Sequence, residues 1–362
     1  MKIPLLPTLL LGAQLLAACQ SKPAEQASAP SADGLYVSPS GASDERAYGL
    51  LPEKGSEDAS HLLHYPPASA QPAAPDSAKE YFANPRYDWI IQVRPTRALP
   101  RHEVLAQYGG QWQQQHAHPQ LYGRATATGL WTYLVAADSD SVFSEIALAW
   151  KLFDERTPTP RPFRAAELAA FQQAVAQRAP ALAGHISRVN YAPAQAAAAS
   201  QQLAAFVTAN DQEALIVLKA DTLFEGREIW DKMRSLGLHW GDMDLFHWEN
   251  PNTDAGGGDH LFSVFTSTEP GYFLPEHIAK GEVKTTDLVF SFSIPRSNAP
   301  QQVLENMYQA AKYCQQKLGG QLVGADGQPF QLSNELKKCQ NVTRNLARKE
   351  LRPGQGDALY LF

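Results

Sequence analysis

Several residues of this chain are of the kinds that bind metals or activate nucleophiles, and their spacing decides whether they can act together. His239, Asp242, Asp244 and His247 supply the ligand types of a divalent metal site. Read as a strand from Asp242 to Trp248, however, alternation sends both aspartates to one face and His247 to the other, which splits the set. Ser263, Asp259 and His260 have the composition of a hydrolytic triad, yet no GxSxG elbow or comparable turn presents the serine. Gly256-Gly257-Gly258 is not followed by GKS or GKT and joins no strand to a helix, so it reads as a hairpin loop and not as a phosphate cradle. The cysteines, Cys19, Cys314 and Cys339, form no CxxC or Cys/His ligand spacing. The reading is of a protein that is not an enzyme, with no catalytic residues, no metal and no cofactor.

The elements that carry these residues are those of a two-domain chain. A length of 362 residues, 44% hydrophobic and 19% charged, suffices for about two folded cores. A net charge of −6 without a basic block excludes nucleic acid as a partner. Beyond residue 20 no apolar run approaches the ~18–20 residues of a membrane-spanning helix. Met1-Lys2, the apolar run Ile3 to Ala18 and the small residues before Cys19 read as a lipoprotein signal peptide over 1–18, with Cys19 lipidated to become the new N-terminus. An uncleaved anchor interrupted by Pro4 and Pro7 is the alternative.

Residues 19–85, rich in Ala, Ser and Pro, read as a disordered tether. Residues 209–352 read as one domain. It comprises a strand at Ala214–Leu218, an amphipathic helix from Glu225 to Leu236, strands at Asp242–Trp248, Leu261–Ser267 and Leu288–Ile294, and a helix from Pro300 to Leu318 closed by Gly319-Gly320. A short strand near Gln321–Val323 and a helix from Ser333 to about Lys349 complete it. Residues 86–208 repeat this order in degenerate form. The strand Trp89–Val93 answers Ala214–Leu218, Leu121-Tyr122 answers Leu245-Phe246, and Leu130–Val135 answers Leu261–Thr266. Residues 353–362 are left as a tail, either an added edge strand or a docking segment. The fold class is therefore α+β: tandem split β-α-β domains, antiparallel sheets with helices on one face, after the tether.

Residues 213–349 resemble the C-terminal, FtsZ-binding domain family of ZipA. The resemblance rests on Glu213-Ala214, on Gly241-Asp242-Met243 running into Asp244-Leu245-Phe246-His247, and on Leu261-Phe262-Ser263. The Pro270-Gly271-Tyr272-Phe273-Leu274-Pro275-Glu276 loop and Gly319-Gly320 extend it. It implies a membrane-anchored, non-catalytic cell-division module whose open sheet face holds the C-terminal peptide of FtsZ in an apolar groove. Carried over, the groove residues are Leu215, Val217, Met243, Leu245, Phe265, Ser267 and Ser291, the two serines replacing apolar residues of the family. A disulfide between Cys314 and Cys339 is one reading, two buried free thiols the other. FtsZ is cytoplasmic, whereas lipid on Cys19 would place the body in the periplasm, on the outer membrane. The alternative to a ZipA-like division protein is thus a lipid-anchored periplasmic scaffold or peptide-binding lipoprotein that reuses the fold without binding FtsZ. The alternative location is the inner membrane with a cytoplasmic domain.

Overall fold

The computed structural model describes residues 46–47, 49–66, 80–138, 141–253 and 258–362. The segment 1–18 expected to be a signal peptide, and Cys19, lie outside these residues. The chain divides into two compact units, Ala73–Ala209 and a second made of Asn210–Phe362 together with the segment up to Pro72.

In the N-terminal unit, β1 (Asp88–Pro95) and β2 (Leu99–Pro100) lead into the helices α1 (Arg101–Tyr108) and α2 (Gln111–Gln115). Then follow β3 (Gln120–Ala125), β4 (Trp131–Tyr133), β5 (Val142–Lys151), α3 (Ala165–Arg178), β6 (Gly184–Val189) and α4 (Pro193–Asn210). The sheet order is β4-β3-β5-β1-β6, with β2 paired to β5. Period-two alternation turns Trp89, Ile91 and Val93 of β1 and Ile146, Leu148 and Trp150 of β5 to one face, where they form a core with Val104, Tyr108, Leu168 and Val175 of the helices. Trp89 and Trp150 are register partners with ring centroids 5.2 Å apart. Each buried indole N–H finds a carbonyl, Tyr191 at 2.9 Å and His116 at 2.6 Å. Gly123 on β3 is required by packing, because a Cβ there would meet the Phe143 ring at 2.3 Å.

In the C-terminal unit the elements run β7 (Glu213–Glu225), α5 (Gly226–Ser235), β8 (His239–Trp240), β9 (Phe246–Glu249), β10 (His260–Phe265) and α6 (Pro275–Ala279). They continue with β11 (Lys284–Ser293), α7 (Pro300–Leu318), β12 (Gln321–Val323), α8 (Leu332–Ala347) and α9 (Gly356–Leu361). The sheet order is β12-β7-β11-β10-β9-β8. Ala214, Ile216 and Leu218 of β7 and Leu288 and Phe290 of β11 are fully buried, on the face that α5 and α7 cover. The helix α5 contributes Ile229, Trp230 and Met233 at helical spacing. Gly319 and Gly320 end α7 at φ +82° and +89°, and a Cβ on Gly320 would sit 2.4 Å from the Lys219 carbonyl, so glycine alone lets β12 fall in beside β7.

The molecule is α+β, and both units contain a split β-α-β core. In each, the first strand and the strand parallel to it flank a third antiparallel to both: β5 lies between β1 and β3, and β11 between β7 and β10. The strand-by-strand repeat expected from the sequence needs correction. The strand holding Leu121-Tyr122 takes the position of β10, not that of Leu245-Phe246, and β4 takes the position of β9, beside it. The extra strand thus precedes the second core strand in one unit and follows it in the other. Chain order alone cannot reveal this, because the same succession of strands admits either pairing.

Two further expectations change. The stretch 19–85 is not a tether throughout: in residues 46–66, Ala47, Leu51, Ala59 and Leu63 are buried as part of the C-terminal unit. Low apolar content suggested otherwise, but the segment is fastened by polar groups and close backbone approach. The Trp230 indole donates to the Pro52 carbonyl at 2.8 Å, and the Ser56 backbone and hydroxyl donate to Asp231 at 2.6 and 2.7 Å. Asn306 both accepts from His64 N–H at 2.6 Å and donates to its carbonyl at 2.9 Å. At Gly55 a Cβ would lie 2.1 Å from the Ser235 hydroxyl. Of the two readings of the tail 353–362, the added edge strand gives way to the docked segment, since α9 buries Ala358 and Leu361 in the C-terminal unit.

Candidate functional site

The helix-free face of the C-terminal sheet is built by alternate residues of β7, β11, β10 and β9. Register aligns two rows across it. In the first, Val323 pairs with Val217, Val217 with Val289, and Val289 with Phe265. In the second, Leu215 pairs with Ser291, Ser291 with Ser263, and Ser263 with His247. Adjacent strands lie ~4.8 Å apart, so each row forms a continuous stripe. The first stripe is apolar; the second turns polar after Leu215. Val289 is buried, while Leu215, Val217, Phe265 and Val323 are half-buried.

Of the residues expected to line a groove, Leu215, Val217, Phe265 and Ser291 are brought together on this face. Leu245 precedes β9 in extended conformation and is half-buried. Met243 and Ser267 depart from expectation. The segment Asp242–Asp244 is a short 3-10 turn in which Met243 (φ 58°) and Asp244 (φ 60°) are left-handed, so the strand begins only at Phe246 and Met243 stands 49% exposed beside the sheet. Strand alternation therefore does not govern Asp242 and Asp244. Ser267 lies past the end of β10, exposed, and its backbone N–H and hydroxyl both donate to the Asp287 carboxylate, fastening the loop to β11.

Val289, Val323, Ser263 and His247 were missed as members of the face. For Val289 a signal was present, since Val289, Ser291 and Ser293 alternate with the core residues Leu288, Phe290 and Phe292. The others depend on register, which the sequence does not encode locally.

His247 fixes the polar stripe. Its Nε2 lies 2.8 Å from the Asp242 carbonyl, an acceptor only, so Nε2 carries the proton and donates. Nδ1 consequently accepts from the Ser263 hydroxyl, also at 2.8 Å. The His260 ring stacks on it at 3.9 Å between centroids. Burial, with His260 as a neighbour, pushes the His247 imidazole down to about 4. A hydroxyl donating to imidazole has the form of a nucleophile and base, but so weak a base, with both nitrogens engaged, suits pinning the Asp242–Asp244 turn to the sheet.

That turn is also held from the other side. The Arg46 guanidinium reaches Asp244 at 2.9 Å and Glu276 at 2.8 Å. Its hydrogen bond holds the Glu276 carboxyl below the usual range, whereas burial raises that of Asp244 despite the same partner. Cys314 and Cys339 lie on α7 and α8, which pack together, as buried free thiols without the bridge. Burial pushes the Cys314 thiol up, and Cys339 up to about 11, so both are protonated small hydrophobes at neutral pH. Among the described residues, no helix is long and apolar enough to cross a membrane.

Residues 213–341 match the family model described as ZipA, C-terminal FtsZ-binding domain. The chain is similar to the cell division protein ZipA of Ectopseudomonas mendocina, 32% identical over 107 residues, which is 30% of this chain and 38% of that protein. It is likewise similar to the cell division protein ZipA of Shewanella frigidimarina, 31% identical over 123 residues, 34% of this chain and 33% of that protein. The similarity thus spans about a third of these relatives' length.

Proposed function

We propose that this chain is a membrane-anchored, non-catalytic binding module of the cell-division machinery, whose C-terminal sheet holds an extended partner peptide on its helix-free face. The observation that carries this reading is the apolar stripe Val217–Val289–Phe265 with Leu215 beside it, inside the segment that matches an FtsZ-binding family. On this reading the partner is the C-terminal peptide of FtsZ. Leu215, Val217, Leu245 and Phe265 supply the apolar contacts, Ser291 a polar interruption, and the apolar run Ile3 to Ala18, left uncleaved, the anchor. The test is binding of a labelled FtsZ C-terminal peptide to the full chain by fluorescence anisotropy. Saturable binding weakened at least ~10-fold by Phe265→Ala supports it, and no binding at peptide concentrations of about 1 mM overturns FtsZ as the partner.

A second reading has its own observations. The small-residue motif before Cys19 points to export, and the row Ser291–Ser263–His247 makes the face less apolar than a groove for a hydrophobic peptide requires. On that reading the protein is a lipid-anchored periplasmic scaffold that reuses the fold for another peptide. A reporter active only in the periplasm, fused after Phe362, separates the two: activity together with lipid on Cys19 favours the scaffold, and silence favours the division-ring tether.

A further inference from the structure

The turn at 242–244 is strained, and what holds it comes from separate parts of the chain. Met243 and Asp244 stand in succession at φ 58° and 60°. In that conformation Cβ crowds the carbonyl oxygen, and it persists only where the surroundings over-determine it. From the sheet, His247 donates through Nε2 to the Asp242 carbonyl at 2.8 Å; because His247 belongs to the helix-free face, this bond folds the turn over that side of β9. From the loop before α6, the Phe273 N–H donates to the Asp244 carbonyl at 2.9 Å. The remaining hold is Arg46. Its guanidinium donates through Nη1 to Asp244 at 2.9 Å and through Nε and Nη2 to the two carboxylate oxygens of Glu276, at 2.8 and 3.2 Å. It also lies 5.6 Å from the centre of the Trp240 ring. A planar fork spanning two carboxylates fixes their separation as a single ammonium could not.

Arg46 is 198 residues away from Asp244 in sequence and outside the segment 213–341 that matches the family. It heads a strap. From Arg46, against Trp240 of the edge strand β8, the chain passes to the helix side of the sheet. There the Pro52 carbonyl accepts from Trp230 of α5, Ser56 donates to Asp231, and Glu57 accepts from Tyr313 of α7 at 2.7 Å and pairs with Lys317. We infer that Arg46 is a positioning residue for peptide binding: by bracing Asp244 against Glu276 it keeps the 242–244 turn left-handed, and so sets Met243 and Leu245 at the β9 side of the helix-free face. Leu245 continues from the turn in extended conformation and leads directly into β9, so a turn that relaxes carries Leu245 with it. The inference rests on the reading that this face holds a peptide, and adds to it a residue from outside the FtsZ-binding match.

The test uses the full chain with its methionine methyl groups labelled for NMR, the labelled FtsZ C-terminal peptide, and the variants Arg46→Gln and Glu276→Gln. Arg46 is exposed, so its replacement opens no cavity. In Arg46→Gln the Met243 methyl signal of the peptide-free protein is expected to move. Peptide affinity should fall about fivefold, the loss produced when the turn holds its competent form about a fifth of the time. Glu276→Gln removes the brace while leaving Arg46 in place, and should move the same signal. The double variant should lose no more affinity than the weaker-binding single variant, because both changes break one device. Full affinity in Arg46→Gln, or losses that add in the double variant, overturns the inference and leaves the peptide reading standing. So does a loss of affinity with the Met243 signal unmoved, which would mean that Arg46 meets the peptide itself. Absence of peptide binding by the unaltered chain overturns the reading of the face, and this inference with it.

Discussion

On the N-terminal sheet the helix-free face presents Ala147 and Ala149 beneath Phe82; on the C-terminal sheet the same side presents Val217, Val289 and Phe265. The first surface is hollow and filled by a segment preceding β1, the second is raised by side chains of the strands themselves. Each unit recruits a stretch from before residue 85, but on opposite sides: Glu80–Ala83 covers the sheet face of one, and residues 46–66 lie against α5 and α7 of the other. Two sheets with the same split β-α-β core thus spend their aromatic residues differently. In the N-terminal unit they wall an occupied trough, and in the C-terminal unit Phe265 stands at the end of an apolar stripe.

The sharpest way to break this comparison is to remove one aromatic from each face. Trp131→Ala takes away a wall contacted by Phe82 and is expected to destabilise the N-terminal unit by ~3 kcal/mol, the lower end for a large aromatic truncated in a packed site. Phe265→Ala, at a half-buried position, should cost the C-terminal unit less than ~1.5 kcal/mol while weakening its peptide partner. Chemical denaturation followed with probes in each unit measures both. Equal losses in the two units would mean that Phe265 is structural and the contrast between the faces is false.

Acid should separate the units next. His247 has its folded pKa depressed to about 4 against 6.5 when unfolded, so above pH 6.5 it is neutral in both states and the unit keeps its full stability. As the pH falls from 6.5 towards 4 the unfolded chain binds a proton that the folded chain refuses. The C-terminal unit then loses up to about 3 kcal/mol, with no further loss from this group below pH 4. In the N-terminal unit Asp154, held down to about 2 by Arg156, acts lower: its contribution is intact above pH 3.8 and is lost as the pH falls through 2. Thermal unfolding between pH 7 and 4 should therefore lower one transition and spare the other, and His247→Gln should flatten the dependence. A C-terminal unit indifferent to pH in that window would contradict the buried, neutral imidazole.

How far these features were legible in the sequence follows from what each depends on. The helix at 300–318 and the strand at 321–323 could be read to their ends, because a periodic apolar face and a terminal glycine pair are local signals. The exchanged strand positions could not, since pairing depends on which backbone lies alongside and not on composition. Met243 was misplaced because the left-handed turn at 242–244 carries no glycine and continues an apparent strand. The order in residues 46–66 was hidden for another reason: Gly55, Ser56 and Pro52 signal flexibility by type, and only their partners Ser235, Asp231 and Trp230 make them a fixed contact.

A smaller effect tests the 46–66 segment. Asn306→Ala removes the paired bonds to His64 and should cost about 1–2 kcal/mol, seen first as faster proteolysis between residues 46 and 66. The N-terminal unit should show no change. If cleavage in the segment is unaltered, the fastening rests on Trp230 and Asp231 instead.

The least disruptive change addresses the polar stripe. Ser291 is half-buried between Leu215 and Ser263, at the place where the second row leaves apolar chemistry. Ser291→Val adds apolar surface on a strand, where a β-branched residue is favoured, so the unit's stability should shift by less than ~0.5 kcal/mol. If a partner peptide lies across both rows, the added methyl groups are covered on binding, and affinity should rise about threefold to tenfold, as ~0.8 kcal/mol per buried methylene implies. If the peptide follows only the Val217–Val289–Phe265 row, affinity stays unchanged. If it instead binds through the Ser263 and His247 side, losing the Ser291 hydroxyl lowers affinity. The sign of one titration thus places the partner on the face, and an increase would mean that the serine, more than the fold, limits how strongly this sheet grips an apolar chain.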